Sequence, residues 1–422
     1  MGITYDELRE AVTGDGVGVR SRTVLEPLGG RGDKIFPPTY GVDGNAETKY
    51  AVESRRVDGA DVDAVLLDSV ASQANRFELA LLEAVRAEEL ALPVVSVDFR
   101  DSENVRDLDL LSSLEAPHRI YDAILRDSLL DGRAFRLSDP GRAITEATTR
   151  SAAALFHYNP ATLLFGGWDS TGPKGGRGSK FERAITSEVV AIGISRGVKT
   201  GSRLDPLGIE LKAATVLEST DEFGWTLDPE EAVKDGKNPK PVKGGSGTPG
   251  RPSQINHGNV TPSIVSDSGG VTADEIVATT VLSFVALRRL RFPVDHHGDA
   301  VEAPKRRELE GAARTALAAL GLAATVLAFE DGFDLRSRCV LAPTGPQEFE
   351  LLRRSGGEPT RFVLDRDDAL ALVAAASAAV GELGLPWMTD ELLLQPADRL
   401  VDLIERSRRL TEASTDDDAG DE

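Results

Sequence analysis

Apolar and polar positions change period along this chain, and the period assigns its elements. From Val17 to Leu25 they alternate, with Val17, Val19, Ser21, Thr23 and Leu25 on one face and Arg20, Arg22 and Val24 on the other. That is the pattern of a half-buried strand. A short helix is predicted before it, over Tyr5–Val12, and a second strand after it, over Thr48–Ser54. From Asp61 to about Leu90 the apolar residues Val62, Val65, Leu66, Val70, Ala74, Phe77, Leu81 and Val85 recur at helical spacing. Asp68, Ser72, Asn75 and Arg76 form a polar stripe on the far side of that predicted helix. Pro93 stops it, and Val94–Phe99 reads as a strand. Leu110–Leu130 is predicted helical with an interruption at Pro117, and Val189–Ile194 is a buried strand by its β-branched content. Val271–Arg291 reads as an amphipathic helix terminated by Pro293. Helices follow at about Arg306–Ala319, Asp367–Leu383 and Asp390–Leu410, with strands at Ala323–Phe329 and Phe349–Leu352.

Composition narrows the class. A chain of 422 residues with 41% apolar content is globular, with room for two to three domains or one elaborated body. Its one cysteine, Cys339, excludes an intramolecular disulfide framework and fits a reducing cytoplasmic setting. The N-terminus lacks the basic start and apolar run of a secretory signal. The longest apolar stretch, Thr315–Phe329, has 15 residues, short of the ~20 that span a bilayer, so it is read as a core helix and no membrane partner is expected. The formal net charge of -21 opposes indiscriminate binding to nucleic acid but leaves room for a lined groove. Six acids and no bases fall in 412–422, an expected disordered tail, so the folded body is less acidic than the total.

Against that charge, Phe165–Arg183 stands out: FGGWDSTGPKGGRGSKFER holds six glycines, four basic side chains and one tryptophan. Bare backbone N–H groups and cations approach phosphates closely, which makes the loop a candidate polyanion site, with a flexible surface connection as the alternative. A nucleotide-binding P-loop is excluded, because Gly178 is followed by Ser179 before Lys180. Gly14–Gly18 is no dinucleotide fingerprint either, since it precedes its strand and no helix follows directly. Trp168 and Phe181 flank the cations and supply stacking surface, the combination a single nucleic-acid strand uses. Arg20 and Arg22 point the same way: same-face strand neighbours sit ~7 Å apart, comparable to successive phosphates. Arg31 and Lys34 lie in the glycine-rich loop after that strand, and Lys199 and Arg203 decorate the turn after Val189–Ile194.

Other constellations carry alternative chemistry. Glu218–Asp267, rich in Pro, Gly, Asp, Ser and Lys, is too long for an ordinary connection and reads as a projecting functional loop. Its centre, Lys234–Arg251, has five bases against the single acid Asp235. Asn256 and His257 lie beyond this basic centre, either in a turn or against bases. Asn75 and Arg76 belong either to a solvated face or to a nucleic-acid contact. Asp295, His296, His297 and Asp299 form a metal-ligand-like run, which favours a solvated turn unless ligands converge from other elements.

Four segments resemble a known family. Leu66–Glu78, LLDSVASQANRFE, and Phe165–Ile194, FGGWDSTGPKGGRGSKFERAITSEVVAIGI, with INHGNV from Ile255 and GGVTADEIVATTVLSFVALRRLRF from Gly269, are similar to the backbone subunit of type I-G (formerly I-U) CRISPR Cascade complexes, a GSU-type family of the RAMP superfamily. The resemblance spans about Leu66–Phe292. It implies an α+β fold: an RRM-like, ferredoxin-type palm with helical insertions and a projecting thumb loop. The expected organisation is one body over 1–411, with a helical insertion about 55–135, a thumb about 218–267, a C-terminal helical part about 300–411, and the tail 412–422. No RNP1 string of the common RRM type is present, so stacking on the sheet face is not assumed.

The resemblance further implies a non-enzymatic crRNA-binding subunit that polymerises head to tail along guide RNA for target DNA recognition. Other Cascade subunits and, indirectly, a helicase-nuclease are the remaining partners, and no cofactor or metal is required. Its expected RNA contacts are Arg20, Arg22, Arg31, Lys34, Asn75, Arg76, Trp168, Lys174, Arg177, Lys180, Arg183, Lys199, Arg203, Asn256 and His257. The alternatives are a RAMP-type endoribonuclease with His157 as general base beside Tyr158, and a metal-dependent phosphoesterase using Asp295, His296 and His297.

Overall fold

The alternating N-terminal segment forms β1, Gly16–Pro27, the strand around which the main sheet is built. The computed structural model describes residues 2–41, 47–172, 178–244 and 248–421, residues 412–421 by backbone alone. Burial along β1 follows the sequence: Val19, Ser21, Thr23 and Leu25 are buried, whereas Arg20, Arg22 and Val24 share the opposite face. Helix α1, Tyr5–Thr13, leads into it and starts at a capping box in which Thr4 and Glu7 satisfy each other's backbone N–H.

The sheet has nine strands: β1, β2 (Val52–Val57), β3 (Ala60–Asp68), β4 (Ile185–Arg196), β5 (Val271–Ser283), β6 (Phe333–Arg336), β7 (Cys339–Pro343), β8 (Phe349–Arg353) and β9 (Thr360–Phe362). Their order is β6-β7-β1-β5-β4-β3-β2, with β8 joined to β1 and β9. One edge of β1 pairs antiparallel with β5, placing Arg20 opposite Val281 and Arg22 opposite Thr279. The other edge is divided between β8, along Gly16–Ser21, and β7, along Leu25–Pro27.

Leu25, Val65, Leu67, Val189, Ala191, Ile276 and Ala278 project from these strands into one buried cluster with Phe333 and Leu341. Helices α2 (Val70–Arg86), α3 (Ala303–Glu330) and α4 (Arg366–Glu382) pack with α1 around α3. By length and composition α3 passes as a membrane span, yet 83% of its apolar window is buried within the protein, as a core helix requires.

Several elements differ from their sequence reading. Val271–Arg291 is strand β5 followed by a single helical turn, Phe284–Leu287. Its inward residues Ile276, Ala278, Thr280 and Leu282 recur at period two, and pairing with β1 across the chain outweighs the weaker helical pattern. Asp61–Asp68 is likewise strand β3, and the helix starts only after Ser69, whose side chain accepts the Ser72 N–H as N-cap. Ala323–Phe329 lies inside α3, where Ala and Leu favour helix. Leu110–Leu130 is broken into strands Leu110–Ser112 and Ser128–Leu130 with short turns and Ala123–Arg126 between them.

The stretch 55–135 is therefore not a helical insertion. It supplies β2, β3 and α2, together with strands of a second, five-stranded sheet. That sheet also takes in Leu392–Pro396, parallel to Val95–Asp98, where a helix was expected; helix Asp398–Asp421 follows and runs through the acidic C-terminus. The expected C-terminal helical part also contains β6 to β9.

Contacts divide the chain into two units rather than one body. The first comprises 1–41, 50–195 and 271–400; the second comprises 42–49, 196–270 and 401–422. In the second, Lys199–Arg203 pairs with Val260–Val265, Leu217–Glu218 with Trp225–Thr226, and Lys234–Asp235 with Asn238–Pro239. The long polar segment is thus a set of short ladders.

Candidate nucleic-acid interface

In the first unit, the two ends of the glycine-rich loop are joined. Gly167 pairs with Phe181 and Trp168 with Lys180, and the Asp169 N–H donates to the Ser179 carbonyl at 2.9 Å. Antiparallel partners share a face, so Lys180 lies beside the indole, its Nζ 5.9 Å from the Trp168 ring centroid. Trp168 is half-exposed while Phe181 is buried, so the ladder turns one aromatic outward and anchors itself with the other. Lys180 and Arg183 are exposed; Lys174 and Arg177 lie outside the described residues.

A buried framework holds this platform. Gly166 has φ +86°, a left-handed conformation that glycine adopts without strain, and a Cβ at Gly167 would approach the Tyr121 ring to 3.2 Å and Thr162 Cγ2 to 2.6 Å. The Gly166 carbonyl accepts from Arg119 Nη1 at 3.2 Å. The same guanidinium grips Glu78 of α2 bidentately, at 2.6 and 2.7 Å. Burial pushes the Glu78 carboxyl up to about 7, against the opposing pull of Arg119. Phe77 meets Phe165 edge-to-face at 6.3 Å, and buried Asp169 accepts from Arg136 at 2.7 Å. Arg119 and Glu78 were missed as partners in the sequence. One signal was present: Glu78 falls on the buried helix stripe with Ala74, Phe77 and Leu81, where a lone carboxylate needs a cation.

Arg20 and Arg22 share the outward face of β1, as their spacing predicts. Arg20 Nε donates to Glu350 at 2.9 Å and Arg22 Nη2 to Glu275 at 2.9 Å. Arg361 also reaches Glu350, at 3.3 Å. Arg31 is exposed and lines a cleft with Val24, Asp33, Glu275 and Thr344. Lys34 lies over the Phe36 ring at 5.5 Å, and Arg338 lies over the same ring at 4.0 Å.

Arg76 is placed differently. It donates to the buried Asp68 at 3.0 Å and to the carbonyls of Asp334 and Leu335, tying α2 to β6, while its neighbour Asn75 is exposed. The polar stripe is thus a structural seam as far as Arg76 is concerned.

In the second unit, Arg203 organises the turn at 256–259. Its guanidinium donates to the His257 and Gly258 carbonyls at 3.1 to 3.2 Å and to Asn256 Oδ1 at 3.4 Å. Asn256 has φ +58°, which asparagine tolerates better than most residues. Lys199 is exposed at the end of the ladder opposite Val265. Lys199, Arg203, Asn256 and His257 thus belong to one unit, and the glycine-loop and β1 residues to the other.

The histidines cluster as the sequence did not foresee. His157 stacks edge-on to Tyr158 with centroids 4.6 Å apart, His296 lies 5.7 Å from His157, and His297 lies 3.7 Å from His296. Nδ1 of His157 donates to the Pro386 carbonyl at 2.6 Å and Nδ1 of His296 to that of Gly384 at 2.9 Å. Burial lowers the His157 pKa, and the neighbouring imidazoles add to the effect. The Asp295 carboxylate accepts the N–H groups of His297 and Asp299, so it closes its own turn. Among the described residues, no three His, Cys, Asp or Glu side chains are grouped to hold a metal ion.

Residues 19–196 are similar to the family described as CRISPR-associated protein GSU0053. The matched stretch runs from β1 through the Trp168–Lys180 platform to the end of β4. No curated protein matches the chain.

Proposed function

We propose that this CRISPR-associated chain is a non-enzymatic, cytoplasmic crRNA-binding backbone subunit of a type I-G Cascade effector, polymerising head to tail along guide RNA. The observation that carries the proposal is the coincidence of the family match with the Trp168–Lys180 platform: an exposed indole and a cation side by side on a two-residue ladder. Stacking is sequence-tolerant and cations follow the backbone, which suits a subunit that must hold any guide. Sequence recognition then passes to base pairing between guide and target DNA.

In this reading the nine-stranded sheet is the RRM-like palm and the second unit contains the thumb. Trp168, Lys180 and Arg183 contact the strand from the loop, and Lys174 and Arg177 extend that contact. Arg20, Arg22, Arg31 and Lys34 serve from the palm. The pairs Arg20–Glu350 and Arg22–Glu275 are partly exposed. Such pairs contribute ~0–1 kcal/mol, so exchanging a carboxylate for a phosphate costs little. Lys199, Asn256 and His257 are the thumb contacts, with Arg203 shaping their turn. A head-to-tail interface is heterologous and propagates rather than closing.

Coexpression with a repeat–spacer RNA tests this. Negative-stain micrographs should show filaments whose length follows the RNA; a chain that purifies as an RNA-free monomer refutes the proposal. The histidine cluster favours one second reading, an endoribonuclease. Nδ1 of His157 donates to a carbonyl, which leaves Nε2 as the proton acceptor a general base needs. Metal-independent cleavage of labelled repeat RNA, lost in His157→Ala, would establish that reading instead.

A further inference from the structure

Three segments of the first unit converge on a cleft whose lining is four arginines, Arg150, Arg291, Arg306 and Arg307, against the single acid Glu310. The backbone builds it. The Arg291 N–H donates to the Thr149 carbonyl and the Ala152 N–H to the Arg291 carbonyl, both at 2.9 Å, which seats Arg150 beside Arg291. Glu310 accepts from Arg291 at 3.2 Å and from Arg314 at 2.7 Å, tying the first turns of α3 to the same segment. The one carboxylate is therefore already shared by two guanidiniums.

Among the described residues, Arg150, Arg306 and Arg307 have no ion pair or hydrogen bond through their side chains, and all three are exposed. In a chain of net charge -21, many arginines among the described residues hold a carboxylate, as Arg20, Arg22, Arg55 and Arg366 do. Three unpartnered guanidiniums held in one concavity repel each other, and an anion entering between them relieves that repulsion. The planar fork of arginine matches phosphate bidentately. The only apolar lining is Pro293 and Ala303, which offers no aromatic or aliphatic anchor for a peptide.

We propose that this cleft is a second phosphodiester site, which holds the backbone of a nucleic-acid strand apart from the Trp168 platform. The strand is either the RNA of the reading proposed above, on which that option rests, or a DNA strand, and the two are separated by experiment. The full-length chain is titrated into fluorescein-labelled single-stranded RNA and DNA of one sequence, and anisotropy is followed against salt. For the strand the cleft holds, R150Q/R306Q/R307Q lowers the log–log salt slope by about 2, at ~0.7 per lost contact, and weakens binding tenfold or more. Loss in the RNA arm, the DNA arm, or both names the source.

The charge-retaining variant R150K/R306K/R307K restores the slope; if it does not, the glutamines acted through folding and the proposal falls. Unchanged slopes in both arms overturn it. Lost binding to labelled poly-glutamate with nucleic-acid binding intact also overturns it, in favour of an acidic protein partner. W168A/K180Q run in parallel reports the other surface. A loss there alone sinks only the arginine cleft, and a loss in the arginine variant alone sinks only the platform.

Discussion

Replacing Arg119 by methionine tests whether the glycine-loop platform depends on a buried charge pair. Arg119 and Glu78 are 6% and 1% exposed, and the guanidinium makes three hydrogen bonds, two to Glu78 and one to the Gly166 carbonyl. Where Glu78 is ionised, breaking such a pair from one side costs about 3–5 kcal/mol, because the carboxyl must either stay charged without a partner or take up a proton. Methionine fills the space, so the loss is electrostatic rather than a cavity.

The pH dependence fixes the cause. Glu78 titrates in the folded protein near 7, above its unfolded value, so its favourable contribution is complete below the unfolded pKa and is lost as pH rises through 7. Without Arg119 the folded pKa rises further. Between pH 7 and that new value the variant keeps a proton that the parent has released. The stability gap between parent and R119M should therefore be flat below pH 7 and widen above it by up to about 1.4 kcal/mol per pH unit. Urea unfolding followed by tryptophan fluorescence, at pH 6 and pH 8, measures it. A gap at pH 8 below ~1 kcal/mol, or one that does not widen from pH 6 to pH 8, refutes a buried ion pair at this position.

Trp168→Ala should weaken binding of single-stranded RNA by about 1–3 kcal/mol, the value of one stacked base, with thermal unfolding unchanged; equal anisotropy curves would remove the indole from the interface. Burial raises the Cys339 thiol to about 11, so an aromatic disulfide reagent at pH 8 should label it only after unfolding, and rapid labelling of the native chain would contradict its placement in the core. His157 has a folded pKa lowered by burial, so the stability it allows is present above the unfolded value and falls away as pH drops through the folded one. His157→Asn keeps a donor for the Pro386 carbonyl and should flatten the acid limb of a stability profile; an identical limb would show that the histidine cluster is not responsible.

What the sequence made legible was local. The alternation at β1 gave both its strand and the outward pair Arg20 and Arg22, because period two is set by the strand itself. The end of α2 was legible only approximately: the helix stops at Arg86, short of the expected Leu90 before Pro93. β5 was misread because Ala278 and Thr280 are small and ambivalent, and what makes them strand is the ladder to β1, some 250 residues earlier in the chain. The Trp168 loop was legible as composition, but its geometry was not. The Arg119–Glu78 clamp joins residues 41 apart, and the arginine cleft joins segments near 150, 291 and 306. No periodicity connects such positions.

The arginines of this acidic chain sort by what they face, and that sorting says more than net charge does. Arg76, Arg119 and Arg336 are tied to buried carboxylates and backbone carbonyls, where removing them exposes unsatisfied groups. Arg20 and Arg22 hold partly exposed carboxylates that a phosphate can displace. Arg150, Arg306 and Arg307 hold nothing among the described residues. Of these three groups, only the last two can contribute to a salt-dependent encounter, alongside exposed cations such as Arg31 and Arg183, because counterion release requires a cation whose partner is solvent or readily exchanged. An exterior rich in carboxylates then acts as a filter: it repels polyanions everywhere except where unpaired or exchangeable guanidiniums are concentrated. In the proposed strand-holding role, that contrast supplies specificity without any base-reading contact.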